Sequence, residues 1–142
     1  MRIEAERELV APPADVWALL AEPHHLSDWW PGYSSIRPDR RGLATGARWQ
    51  VVRGGQAGLL RRPGGDGLIV IGHLAPGKTL GWHDVQQRFD ATISIDEAGP
   101  DRTHARVTLD APWWRIRIEG LRRTPSDALS RLHALCQTAA GL

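Results

Sequence analysis

The sequence predicts an α+β fold in one domain spanning residues 1–142, and three observations carry that prediction. The chain opens on a strand followed by two clipped helices. Its middle alternates apolar and polar residues with the period of strands. Its end carries one long amphipathic helix.

In the opening strand Ile3, Ala5 and Leu9 alternate with Arg2, Glu4, Glu6 and Glu8, the pattern of a half-buried strand. The run "APPADVWALL" then starts a helix, because Pro12 and Pro13 suit an entry where φ is fixed and no N–H is needed. Val16, Trp17, Leu19 and Leu20 give that helix its apolar face. Pro23 interrupts it, and "HHLSDWW" forms a second short helix stopped by Pro31-Gly32.

This order of strand, two short helices, Trp pair and turn resembles the N-terminal signature of the START/Bet v1-like (SRPBCC) superfamily. Within it, "APPADVWALLAEPHHLSDWWPG" is similar to the polyketide cyclase/dehydrase-like branch. The resemblance implies a helix-grip fold. In that fold a curved antiparallel sheet of about seven strands wraps around a long C-terminal helix, with a cavity for an apolar ligand between them. It does not imply a reaction, since the superfamily includes cyclases, lipid carriers and chaperone partners.

Pairing within the central sheet follows from turn placement. A turn at "APGK" sets Ile71 opposite Trp82 and Leu74 opposite Thr79. A two-residue turn at Gln87-Arg88 sets Trp82 opposite Ile93 and Leu80 opposite Ile95. A five-residue loop at "EAGPD" sets Ala105 opposite Ile93 and Leu109 opposite Phe89. One face then carries Ile69, Ile71, Leu80, Trp82, Phe89, Ala91, Ile93, Ile95, Ala105, Val107 and Leu109. The other carries His83, Asp90, Thr92, Ser94, His104, Arg106 and Thr108, which are expected to meet solvent. Because a slip of one residue exchanges the faces, agreement across three hairpins supports the assignment.

Five polar residues fall on the apolar face by the same parity: Arg7, Arg53, His73, Asp84 and Gln86. Buried charge is costly unless paired, so an inward Arg and an inward Asp are expected to meet each other or a ligand. Two readings stay open. These groups form structural ion pairs or reach water at strand ends, or they orient the polar group of an otherwise apolar ligand. Under the second reading the expected ligand contacts are Trp30, Trp49, Arg53, Ile71, His73, Trp82, Asp84, Phe89, Ile93 and Leu132. The large flat tryptophans among them suit a ring system and suit plain core filling equally.

The glycine-rich stretch "GGQAGLLRRPGGDG" between Arg53 and Leu68 reads as a loop with room for a short strand near 57–61, and two readings stay open for Leu59, Leu60, Arg61 and Arg62: an amphipathic lip or an ordinary flexible hairpin. Arg37 to Gly42 reads as a solvated basic turn. The final helix is predicted from Thr124 as N-cap, Pro125 at the first position and Asp127 three residues beyond the cap. Leu129, Leu132, His133, Leu135 and Cys136 share one side of it. Cys136 reads as a small buried hydrophobe. Before it, "PWWRIRIEGLRR" reads as a helical or irregular lead-in, with Trp113 and Trp114 placed to close one end of the pocket.

Composition excludes several classes. A formal charge of +2 is too small to argue for nucleic acid, and a single cysteine excludes an intramolecular disulfide. No apolar run approaches the roughly 20 residues that span a bilayer. The opening is strand-like and acidic rather than a signal peptide, so the expectation is a bacterial cytoplasmic protein. No G-x-S-x-G, P-loop, G-x-G-x-x-G or H-E-x-x-H motif occurs. Adjacent His24 and His25 do not have metal-ligand spacing, so neither a metal nor a cofactor is expected.

The leading expectation is a carrier or sensor holding a hydrophobic small molecule, lipid or polyketide-like, in an internal cavity. The first alternative is a polyketide cyclase or dehydratase, with His73 as acid/base near Asp84 and Arg7 as further catalytic candidates. The second is a protein-interaction module.

Overall fold

The computed structural model describes residues 1–53, 66–118 and 121–140. Seven antiparallel strands form one open sheet: β1 (Arg2–Leu9), β2 (Tyr33–Arg37), β3 (Arg48–Arg53), β4 (Asp66–Ala75), β5 (Thr79–Asp84), β6 (Phe89–Gly99) and β7 (Arg102–Asp110). Their order is β1-β7-β6-β5-β4-β3-β2, so the first strand closes against the last and β1 and β2 are the edges. Between β1 and β2 lie α1 (Pro13–Ala21), a 3₁₀ turn at Pro23–His25 and α2 (Leu26–Trp29). After β7 come α3 (Trp113–Ile118), a 3₁₀ turn at Leu121–Arg123 and α4 (Thr124–Ala140). This is the helix-grip α+β architecture, with α4 packed against β1, β7 and α2.

Every apolar residue assigned to the inner face is buried there, from Ile69 to Leu109. The pairings behind that assignment differ in detail, and the difference has a physical cause. The β5–β6 loop is Val85 to Arg88, not Gln87-Arg88, so Trp82 stands opposite Ala91 and Leu80 opposite Ile93. The Asp84 carboxylate accepts from the backbone N–H groups of Gln86 (3.1 Å) and Gln87 (2.8 Å), and so folds the loop one step earlier. The β6–β7 turn is tighter than five residues, pairing Ile93 with Val107 and Ile95 with Ala105. Both corrections move the register by two residues. Side chains repeat with period 2, so the faces survive.

Between β4 and β5 the parity itself breaks. Ile71 faces Trp82 as expected, but Leu74 faces Leu80, not Thr79. Two residues of β4, Gly72 and His73, therefore oppose Gly81 alone, which is a β-bulge. The strands close over it because Gly81 has no side chain. A Cβ there would lie 3.1 Å from Thr92 Oγ1, 3.2 Å from His73 Cβ and 3.3 Å from Ala91 O. The bulge turns His73 to solvent, correcting its inward assignment.

The helices follow the sequence more closely. Val16 and Leu20 of α1 are buried, with Trp17 and Leu19 half-buried against the core. On α4, Ala128, Leu129, Leu132 and Cys136 are buried. Thr124 is already helical rather than a cap, because the 3₁₀ turn leads into the helix. The lead-in at α3 is helical. Trp113 and Trp114 are exposed, however, and do not close the interior. The strand and lip expected at 57–62 lie outside the described residues.

Candidate functional site

The polar residues of the inner face separate into two groups. At one end of the sheet, β2 begins at Tyr33 directly opposite Arg53 at the end of β3, while β5 ends at Asp84. These three converge. The Tyr33 hydroxyl donates to Asp84 Oδ2 at 2.7 Å and accepts from the Trp82 indole N–H at 3.3 Å. Arg53 Nη2 donates to Asp84 Oδ1 at 2.8 Å. With the two turn amides, Asp84 collects four donors, as many as a carboxylate has acceptor sites. The side chain is fully buried, and that satisfaction is what makes its burial tolerable.

The cluster also depends on a missing side chain. A Cβ on Gly67 would sit 2.9 Å from Gln86 Oε1 and 3.2 Å from Arg53 Nη2, so glycine on β4 leaves the room that both occupy. The Tyr33 phenol has its pKa raised well above the usual value, first by burial and then by the Asp84 charge and hydrogen bond. It is a persistent hydroxyl donor.

An aromatic cluster stands beside this network. Trp30 packs edge-on to Trp29 (5.9 Å) and Trp82 (4.9 Å), and stacks with Phe89 at 6.0 Å. Trp29 and Trp82 are themselves in edge contact at 5.9 Å. Among the described residues, two buried donors here find no acceptor: Trp29 Nε1 and Arg53 Nε. Leaving such a group unmatched costs about 1–3 kcal/mol, so each calls for an occupant or a compensation.

The remaining expected site residues divide plainly. Ile71, Ile93 and Leu132 are buried on the interior side, and Trp49 is buried with its indole N–H donating to Gly42 O at 2.8 Å. That bond pins the 42–49 loop to β3. His73 is on the outer surface, away from Asp84. Arg7 is exposed on β1 at the opposite edge of the sheet, where its guanidinium donates to Ser130 Oγ at 3.2 Å. It borders a groove of about 250 Å³ between β1 and α4, with Ala5, Glu6, Ser126, Leu129 and Ser130. Arg7, His73 and Asp84 therefore do not assemble into one catalytic set.

Sequence reasoning missed Tyr33 and the unmatched donor of Trp29. Tyr33 lies in "YSSIR", which has no alternation, and its partner Arg53 is found only through the β2–β3 register. Among the described residues no three His, Cys, Asp or Glu stand where they could hold a metal ion. No described helix is long and apolar enough to cross a membrane.

Comparisons agree with this architecture. A family model described as polyketide cyclase/dehydrase and lipid transport matches residues 1–132. A protein from Nitrosomonas europaea is 19% identical, superimposes with a TM-score of 0.75, and is covered over 98% of this chain and 96% of its own. An uncharacterised protein from Bacillus thuringiensis is 13% identical with a TM-score of 0.72, over 96% of this chain and 99% of that one. Norcoclaurine synthase from Thalictrum flavum, in complex with dopamine and hydroxybenzaldehyde, is 15% identical with a TM-score of 0.68, over 97% and 87%. At these identities the likeness is one of fold. No curated protein matches the sequence.

Proposed function

Since the chain belongs to the polyketide cyclase/dehydrase and lipid transport family, we propose that it binds a small apolar molecule bearing a hydrogen-bond acceptor, as carrier or sensor. The site is the interior face around Trp30, Trp82, Phe89, Ile71, Ile93 and Leu132. The observation that carries this reading is the pair of unmatched buried donors, Trp29 Nε1 and Arg53 Nε, at the margin of an aromatic cluster. A ligand acceptor at either donor would satisfy it, and rings and aliphatic side chains would cover the rest of the ligand surface. Asp84 has no such part. Its four donors make it the group that orients Arg53 and Tyr33.

Catalysed cyclisation is the weaker reading. It needs a group that exchanges protons near neutral pH. Tyr33 is held protonated far above that range, and His73 is on the other side of the sheet.

Native mass spectrometry of the purified protein, set against the denatured sample, tests the proposal. Extra mass lost on denaturation is expected, and titration with a ring-bearing carboxylate should then show weaker binding in Trp29→Phe. A clean apo mass together with equal affinity of both proteins for the carboxylate overturns it.

A further inference from the structure

Seven tryptophans occur in the chain, and two of them behave unlike the rest. Trp113 and Trp114 of α3 are 61% and 41% exposed, while Trp29, Trp30, Trp49 and Trp82 are buried. The helix that carries them is not loose. Ile116, between them and the next turn, is 1% exposed in the core, so the two indoles are held outward by a fixed anchor. Each has a guanidinium over its ring: Arg115 at 5.4 Å from Trp114 and Arg117 at 6.0 Å from Trp113. Arg122 and Arg123 follow, both exposed, in the 3₁₀ turn before α4. From 113 to 123 the sequence carries four arginines against Glu119, with Asp110 and Asp127 at the flanks. Met1, another exposed apolar side chain, stands alongside, since its carbonyl accepts from the Ala111 N–H at 3.0 Å.

Large exposed indoles beside cations are poorly explained by contact with water. They match the boundary of a bilayer, where an amphipathic ring sits at headgroup depth and basic side chains meet lipid phosphates. We propose that this end of the molecule docks on an anionic membrane surface, with Trp113 and Trp114 entering the headgroup layer and Arg117, Arg122 and Arg123 contacting phosphates. A bilayer fits better than a protein partner because the patch presents indole and positive charge together on one turn of helix. The docking requires no occupant in the interior, so it stands separately from the ligand proposal.

Vesicle sedimentation tests it directly, comparing phosphatidylcholine alone with phosphatidylcholine mixed with phosphatidylglycerol. The wild-type protein should partition onto the anionic vesicles and be released by salt. A Trp113→Ser/Trp114→Ser variant should lose about tenfold or more of that partition. An Arg117→Gln/Arg122→Gln/Arg123→Gln variant should lose the preference for anionic lipid by a similar factor. Circular dichroism checks that both variants stay folded. Absence of wild-type sedimentation, or full binding by the Trp variant, overturns the proposal. Concentration-dependent self-association that the Trp substitutions abolish, without vesicle binding, assigns the face to a second copy of the chain instead.

Discussion

Arg7 and Arg53 look alike in the sequence, each an inward-parity arginine on an apolar face, yet Arg7 ends on one edge strand and Arg53 beside the other, in opposite circumstances. Arg53 is 24% exposed, meets a fully buried carboxylate and shares it with Tyr33 and two turn amides. Arg7 is exposed and has one 3.2 Å bond to a serine hydroxyl on α4. Parity therefore decides which face a charge lies on, and the position along the strand decides whether water reaches it. The Asp84 end is closed by a folded loop. The Arg7 end opens into a groove.

The largest expected effect lies at the closed end. Asp84→Ala removes the acceptor of four hydrogen bonds and leaves Arg53 partly buried without its partner. Breaking a buried ion pair from one side costs about 3–5 kcal/mol, and the residual exposure of Arg53 puts the expectation near the lower figure. Equilibrium unfolding in urea measures it. A change under about 1 kcal/mol would show that the network contributes no more than a surface pair.

Tyr33→Phe sharpens the contrast at smaller cost, about 1–2 kcal/mol, since it removes one donor from Asp84 and the acceptor of Trp82 Nε1. It also changes the alkaline limb of stability. The folded-state pKa of Tyr33 lies above the unfolded value of about 10, so the unfolded chain loses its proton first. Stability from this group is complete below about pH 10 and drains as pH rises through the folded value. Tyr33 is the single tyrosine, so tyrosinate absorbance reports it alone. The signal should appear together with unfolding, and Tyr33→Phe should flatten the alkaline decline. Ionisation at the ordinary pKa with the fold intact would contradict the buried hydrogen bond.

The apolar face was legible because alternation over β4 to β7 is redundant and errors of two residues do not alter it. The Asp84–Arg53 meeting was legible as an expectation from the cost of burying charge. His73 was misplaced because a bulge needs only a glycine on the opposite strand, and no local pattern around "IGHLAPG" announces that Gly81 serves it. Tyr33 and the room at Gly67 were illegible for a related reason. Both matter only through a cross-strand neighbour, and β2 offers no alternation from which its register could be counted. Trp113 and Trp114, expected to close one end of the pocket, face outward because Ile116 anchors α3 in the core.

The smallest expected effect lies at the open end and concerns charge more than stability. Arg7→Gln should change stability by less than about 0.5 kcal/mol, as for other exposed polar contacts. Its mark should be on His133 of α4, whose pKa is lowered first by desolvation and second by the Arg7 charge. A histidine with a depressed folded-state pKa favours the neutral form, so its contribution is present above the ordinary value and lost as pH falls through the folded one. Removing the Arg7 charge should raise the His133 pKa part of the way back, with the desolvation share remaining. Imidazole resonances followed by NMR through the titration would show it. If His133 does not move while Asp84→Ala behaves as expected, the two edges differ even more than the fold implies, because water alone then governs the open one.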